Sequence, residues 1–233
     1  MTSPAQIADE LRDQWDLLRT RLADTSDSVL DEPSSLPGWT VRDLVAHLGL
    51  SMDLISRCQL GAEDADPLTF ATYLAAYPGD AERISERVLD YSAGLGQDVF
   101  DAVDEVADRA LRRLDELVAA GPQAMVRTSR GVIGTGDFLL TRLLELVVHT
   151  YDLAPVLTDP VPVDTGARRL AAEALVQIVT DRTGYRLIVN DEEAWILAAT
   201  GRIGWDEAVR REAVRPEYPS DGLPDLSQNL PVL

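Results

Sequence analysis

The chain of 233 residues has no lysine, one cysteine, two histidines and three phenylalanines, and each scarcity narrows what it can do. Without lysine every base is an arginine, and 21 arginines against 40 acids leave a net charge of −19. Such a field repels a polyanion, and no basic cluster offsets it, so nucleic-acid binding is not expected. The single Cys58 cannot form an internal disulfide and fits a reducing cytoplasm. The opening MTSPAQIADELRDQW has no basic start followed by an apolar core, so no signal peptide is expected. No stretch approaches the roughly 20 apolar residues that span a bilayer, so a soluble cytoplasmic protein without a membrane partner is the expectation. There is no Gly-x-Ser-x-Gly elbow for a serine triad. No internal repeat or low-complexity segment interrupts the chain. With only His47 and His149 present, any imidazole chemistry runs through those two positions.

What is present is a helical pattern. The 45% hydrophobic content supplies a core and excludes global disorder. Ile7, Leu11, Leu18 and Leu22 recur at helical spacing over roughly 4–24. After the turn SLPGW, Thr40 is an N-cap candidate, Asp43 makes a near capping box, and Trp39 is placed to staple onto Leu44. Residues 60–80 read as a long connection with a short helix at FATYLAAY. Helical periodicity returns in AERISERVLDY and DVFDAVDEVADRALRRLDELVAA, and Gly121-Pro122 stops it. MVRTS reads as extended, and the glycine-rich TSRGVIGTGD as a loop rather than a phosphate cradle. Four main helices by about residue 155 suit an antiparallel bundle. Prolines at 155, 160 and 162 mark a boundary, giving a bundle over 1–155 and a small α+β part over 160–233. The latter comprises a helix at 165–181, a strand in YRLIVN, a helical run around EEAWILAATGR and a proline-rich tail.

The segment LLELVVHTYDL poses the chemical question. Glu145 and His149 stand one helical turn apart in a stretch otherwise built from leucine and valine. Asp137, Thr141, Glu145, His149 and Asp152 follow steps of four, four, four and three, forming one polar stripe on a helix apolar over the rest of its surface. A helix of that kind sits centrally in a bundle. His47 lies in a second apolar helix, LVAHLG. A glutamate with two histidines is the ligand set of several catalytic zinc sites, and ferrous iron uses the same donors. An ordinary i,i+4 ion pair and a satisfied core histidine account for the same residues without a metal. Cys58 reads as a small buried hydrophobe rather than a nucleophile. Arg202, in AATGR, is a candidate anion clamp, because guanidinium binds carboxylates in bidentate fashion.

LPGWTVRDLVAHLG, LLELVVHTYDLA and WILAATGR together resemble the mycothiol-dependent maleylpyruvate isomerase family, within the DinB-like (YfiT-type) four-helix superfamily. The resemblance implies a DinB-like antiparallel four-helix bundle followed by a small α+β part that covers the site. It implies a divalent metal, usually zinc, held by His47, Glu145 and His149. It further implies that Arg202 closes over the site as catalytic and cofactor-binding residue. The thiol cosubstrate of the family is mycothiol, a low-molecular-weight thiol of actinobacteria, whose GC-rich genomes suit a lysine-free composition. Metal coordination deprotonates a thiol. The thiolate then adds to a conjugated double bond, giving isomerisation after rotation, or displaces a leaving group, giving S-transfer. Asp43 and Asp152 are candidate acceptors that fix the imidazole tautomers, with capping the principal role of Asp43. The expected partners are a thiol and a small electrophile, and the expected assembly is a monomer or homodimer. The rival reading is a non-catalytic metal-binding bundle with a regulatory or structural role.

Overall fold

The computed structural model describes residues 2–61, 66–96, 98–218, 220 and 222–232. It divides into two compact units, Met1–Ala167 and Arg168–Leu233. The division falls inside a helix, beyond the proline-marked stretch at 155–162.

The first unit opens with α1 (Pro4–Ala23), whose N-cap Ser3 accepts from the Gln6 amide and whose first position is proline. A short α2 (Asp27–Leu30) precedes α3 (Val41–Arg57). At the start of α3 both capping-box bonds form: Thr40 Oγ1 accepts from the Asp43 amide, and the Asp43 carboxylate accepts from the Thr40 amide at 2.9 Å. After α3 come β1 (Gln59–Leu60), α4 (Phe70–Leu74), α5 (Tyr77–Gly94) and α6 (Val99–Ala119). Strands β2 (Met125–Thr128) and β3 (Gly131–Gly134) then lead into α7 (Thr135–Leu153).

Four helices form the bundle: α1 packs on α6 and α7, and α3 packs on the same two. Contacts between named residues set their directions. Arg12 bonds Asp115 while Arg19 bonds Asp104, so α1 and α6 run antiparallel. His47 meets Glu145 while Ser51 meets Arg142, so α3 and α7 are antiparallel too. By contrast, a Cβ on Gly49 would stand 2.9 Å from Val103, and Arg113 donates to the Cys58 carbonyl, so α3 and α6 run parallel. The Gly136–Pro4 approach and the Gln14–Thr150 bond make α1 and α7 parallel as well. A parallel neighbour needs a long return path, and the segment carrying α4 and α5 provides it between α3 and α6. Gly49 permits the close approach of those two helices, because Val103 is stiff at χ1 and has nowhere to retreat.

Strands β1, β2 and β3 form one antiparallel sheet, with Gln59 opposite Arg127 and Val126 opposite Ile133. The glycine-rich stretch expected as a loop therefore contributes β3. Its Val132 and Ile133 are buried, and the hairpin with β2 turns at Ser129–Arg130.

Helix α8 (Thr165–Thr183) crosses into the second unit, which continues with β4 (Leu187–Val189), α9 (Glu192–Ala199), α10 (Trp205–Arg210) and β5 (Val214–Pro216). Strands β4 and β5 pair antiparallel, Val189 opposite Val214. The fully buried Trp195 donates its indole N–H to the Ala172 carbonyl at 3.1 Å, fixing α9 to α8. No described helix is long and apolar enough to cross a membrane.

Candidate metal centre

Helix α7 is buried around most of its circumference, and the Glu145–His149 part of its polar stripe meets α3. Asp137, at the start of the stripe, accepts from the Phe70 amide at the N-terminus of α4. Thr141 Oγ1 donates to the Phe138 carbonyl. The next three members converge. His47 Nε2 lies 3.0 Å from Glu145 Oε2, and His149 Nε2 lies 3.2 Å from the same oxygen. The two imidazoles meet edge-on, with centroids 4.6 Å apart. Trp39 rests against His47 at 5.2 Å between ring centroids, and its indole N–H bonds Ser85. The aromatic residue ahead of the cap thus packs on the histidine of α3.

Asp152 completes the arrangement. It is 3% exposed, and its Oδ2 stands 2.8 Å from His149 Nδ1. That contact holds a proton on Nδ1, so Nε2, which meets Glu145, is the nitrogen left to bind a metal once it gives up its own proton. Asp43 has no such relation to His47. Its carboxylate is taken up by the Thr40 amide and hydroxyl, and it makes no ion pair with His47 within 4.0 Å. Capping of α3 is its role. For a divalent ion held by His47, Glu145 and His149, replacing Asp152 with asparagine should weaken affinity roughly 10–100-fold, the usual cost of losing a carboxylate behind a ligating histidine. A chelator-competition titration measures this, and an unchanged constant would remove Asp152 from the centre.

Burial and contact pull the three central groups in different directions. Burial is the largest influence on Glu145 and opposes ionisation, but hydrogen bonds from His149 and His47 and the charge of Arg142 outweigh it. The carboxyl is held well below its usual range. For His47 burial dominates and lowers the pKa, so the ring is neutral and available as a donor. Burial also acts against His149⁺, yet Asp152 and Glu145 overcome it and raise the pKa.

The donor set fits a tetrahedral divalent ion. One ligand atom from each of His47, Glu145 and His149 lies within 4.8 Å of the others. Donors about 2.0–2.1 Å from such an ion stand about 3.3 Å apart, and the 3.0 and 3.2 Å seen here are within a few tenths of that. Three protein donors of this kind leave one coordination position for a ligand.

The other expected residues lie elsewhere. Cys58 is buried, its Sγ donates to the Ile55 carbonyl, and burial pushes its thiol up, so it is unsuited to nucleophilic work. Arg202 belongs to the second unit, just after α9, where its guanidinium donates to the Thr200 carbonyl at 2.7 Å. One residue escaped the reading of the sequence. Arg142, three residues before Glu145, is 3% exposed, with Nε on Thr141 Oγ1, one terminal nitrogen on Ser51 Oγ and the other on Tyr77 Oη. Its only sequence signal is a base set among the leucines of FLLTRLLELVV.

The fold and the sequence now meet in comparisons with known proteins. Among solved structures, the crystal structure of the mycothiol-dependent maleylpyruvate isomerase superposes with a TM-score of 0.62 at 15% identity, covering 97% of this chain and 98% of that one. A histidine-to-alanine mutant of a mycothiol-dependent maleylpyruvate isomerase gives 0.55 at 16% identity, covering 78% and 75%. These likenesses establish the fold. No curated protein sequence matches the chain. Residues 11–154 match the family described as the mycothiol maleylpyruvate isomerase N-terminal domain, a span that holds all three converging side chains and more than half of the sequence, and the chain belongs to that enzyme family.

Proposed function

We propose that this protein is a divalent-metal-dependent enzyme, with zinc the favoured ion. It activates a low-molecular-weight thiol, mycothiol by analogy with its family, for S-transfer to a small electrophile or for its cis–trans isomerisation. The observation that carries this reading is the convergence of two imidazole nitrogens, from α3 and α7, on one buried glutamate oxygen. Bound there, a zinc ion supplies Lewis acidity that keeps a thiol ionised at neutral pH.

The chain's own residues supply the rest. His47 and His149 offer neutral nitrogens, Glu145 offers a full negative charge, and Asp152 holds His149 in the productive tautomer. The leucines and valines of α7 keep water away from the buried side of these groups. Arg202 is proposed to bind an anionic part of the thiol or substrate, since guanidinium pairs with carboxylate. In the isomerase version the sulfur that adds to the double bond is the sulfur expelled after rotation, so the thiol is regenerated.

The test is metal analysis followed by a mycothiol conjugation screen against epoxides, halides and maleylpyruvate. About one equivalent of zinc and turnover that depends on both zinc and mycothiol are expected. Zinc without any mycothiol binding or reaction would sink the enzymatic reading.

A further inference from the structure

Arg142 carries a charge that its contacts do not neutralise. Its guanidinium is buried, and all three nitrogens bond hydroxyls, those of Thr141, Ser51 and Tyr77. Among the described residues no carboxylate lies within 4.0 Å of it. A buried cation without a contacting anion is costly, and it persists where the surrounding field repays it. The neighbouring anion is Glu145, one helical turn along α7, and Ser51 lies one turn along α3 from His47. The arginine layer thus adjoins the layer of the metal ligands.

Charge in this interior can be tallied group by group. With both imidazoles neutral, Glu145, Asp152 and Arg142 leave one net negative charge. Of the other nearby acids, Asp53 pairs with Arg57, while Asp43 and Asp137 stand at helix N-termini, whose positive dipole ends offset part of their charge. A divalent ion turns the interior net positive by one, and a single monoanion then balances it. Without Arg142 the loaded centre would already be neutral, and a neutral ligand would suit it equally well.

We infer that Arg142 is a positioning residue that sets the charge of the centre, so that the open coordination position takes a monoanion such as an ionised thiol rather than a neutral ligand. This rests on the proposed metal site and specifies what that site selects. Tyr77 and Ser51 fix the guanidinium in place, and burial keeps the Tyr77 phenol protonated well above its ordinary range, so Tyr77 adds no compensating negative charge. At an effective dielectric of about 20, a unit charge placed roughly 8–10 Å from a bound monoanion alters its affinity roughly tenfold or more. It acts on a dication in the opposite sense, and more strongly.

The experiment uses the full chain loaded with cobalt(II). Metal affinity is read by chelator competition, and azide affinity from the visible absorption of the bound cobalt. Arg142→Gln keeps a hydrogen-bond donor and removes the charge, whereas Arg142→Lys keeps the charge and alters the donor geometry. In Arg142→Gln the metal should bind at least about tenfold tighter and azide about tenfold weaker, while Arg142→Lys stays within about threefold of wild type for both. Loss of both affinities together in either variant assigns Arg142 to structural support and overturns the inference, as does no change in Arg142→Gln. Should Arg142→Gln fail to fold, Arg142→Lys decides alone: retained azide affinity supports the charge role, and its loss overturns it. Failure of wild-type protein to bind cobalt would remove the metal reading itself and the inference with it, which is distinct from a loaded centre indifferent to Arg142.

Discussion

Alanine at position 149 is expected to leave the purified protein with almost no bound zinc and no thiol-dependent turnover. His149 Nε2 is one of two nitrogens converging on Glu145 Oε2, and Asp152 holds its other nitrogen. Its removal leaves two donors where open zinc sites use three. Loss of a carboxylate behind a ligand already costs about 10–100-fold, so loss of the ligand itself should exceed that. Metal analysis of protein refilled with zinc and dialysed gives the result directly. Circular dichroism should show the helices intact, with stability lower by about 1–3 kcal/mol because buried Glu145 loses one of its partners. A full equivalent of zinc in His149→Ala would place the metal elsewhere. The natural suspect is then Glu10, Asp13 and Asp164, whose carboxylates also approach within 4.8 Å but offer only oxygen donors.

The second large effect concerns the scaffold. Trp15 on α1 is 1% exposed and donates its indole N–H to Asp104 on α6, the same carboxylate that receives Arg19. Trp15→Ala removes a large buried ring and leaves a cavity, which costs about 3–5 kcal/mol. For a chain of this size each kcal/mol lowers Tm by roughly 2–4 °C, so a fall of roughly 6–20 °C is expected by thermal denaturation of the metal-free protein. A change under about 2 °C would mean that α1 is not packed against α6 through this residue.

Local chemistry was readable in the sequence where neighbours along the chain decide it. The cap of α3 involves Thr40 and Asp43, three residues apart, and forms as the residue types require. The stripe on α7 follows from a period of 3.6 and places Glu145 beside His149 with no tertiary information. His47 is different. It lies 98 residues from Glu145, and only the antiparallel packing of α3 on α7 joins them, so motif resemblance rather than spacing carried that pairing. Arg142 was missed for the same reason: Ser51 and Tyr77 are 91 and 65 residues away, and alone it reads as a solvated base on a helix. The smallest elements were also illegible. Strand β1 has two residues and no alternation to detect, while β3, α10 and β5 are short segments whose strands are defined by their pairing partners.

The division of the proposed ligands between α3 and α7 has a consequence for how the protein comes apart. Glu145, His149 and Asp152 share two turns of one helix and keep their spacing for as long as that helix lasts. His47 is held to them only by tertiary packing. An ion shared between the two helices would act as a clasp across a long span of chain, and separating them would require releasing it. At a free zinc concentration a hundredfold above its dissociation constant, the clasp adds about 2.7 kcal/mol to the work of unfolding. The backbone amides of α3 and α7 would then exchange with solvent as one cooperative block when loaded, and as two less tightly coupled ones when empty.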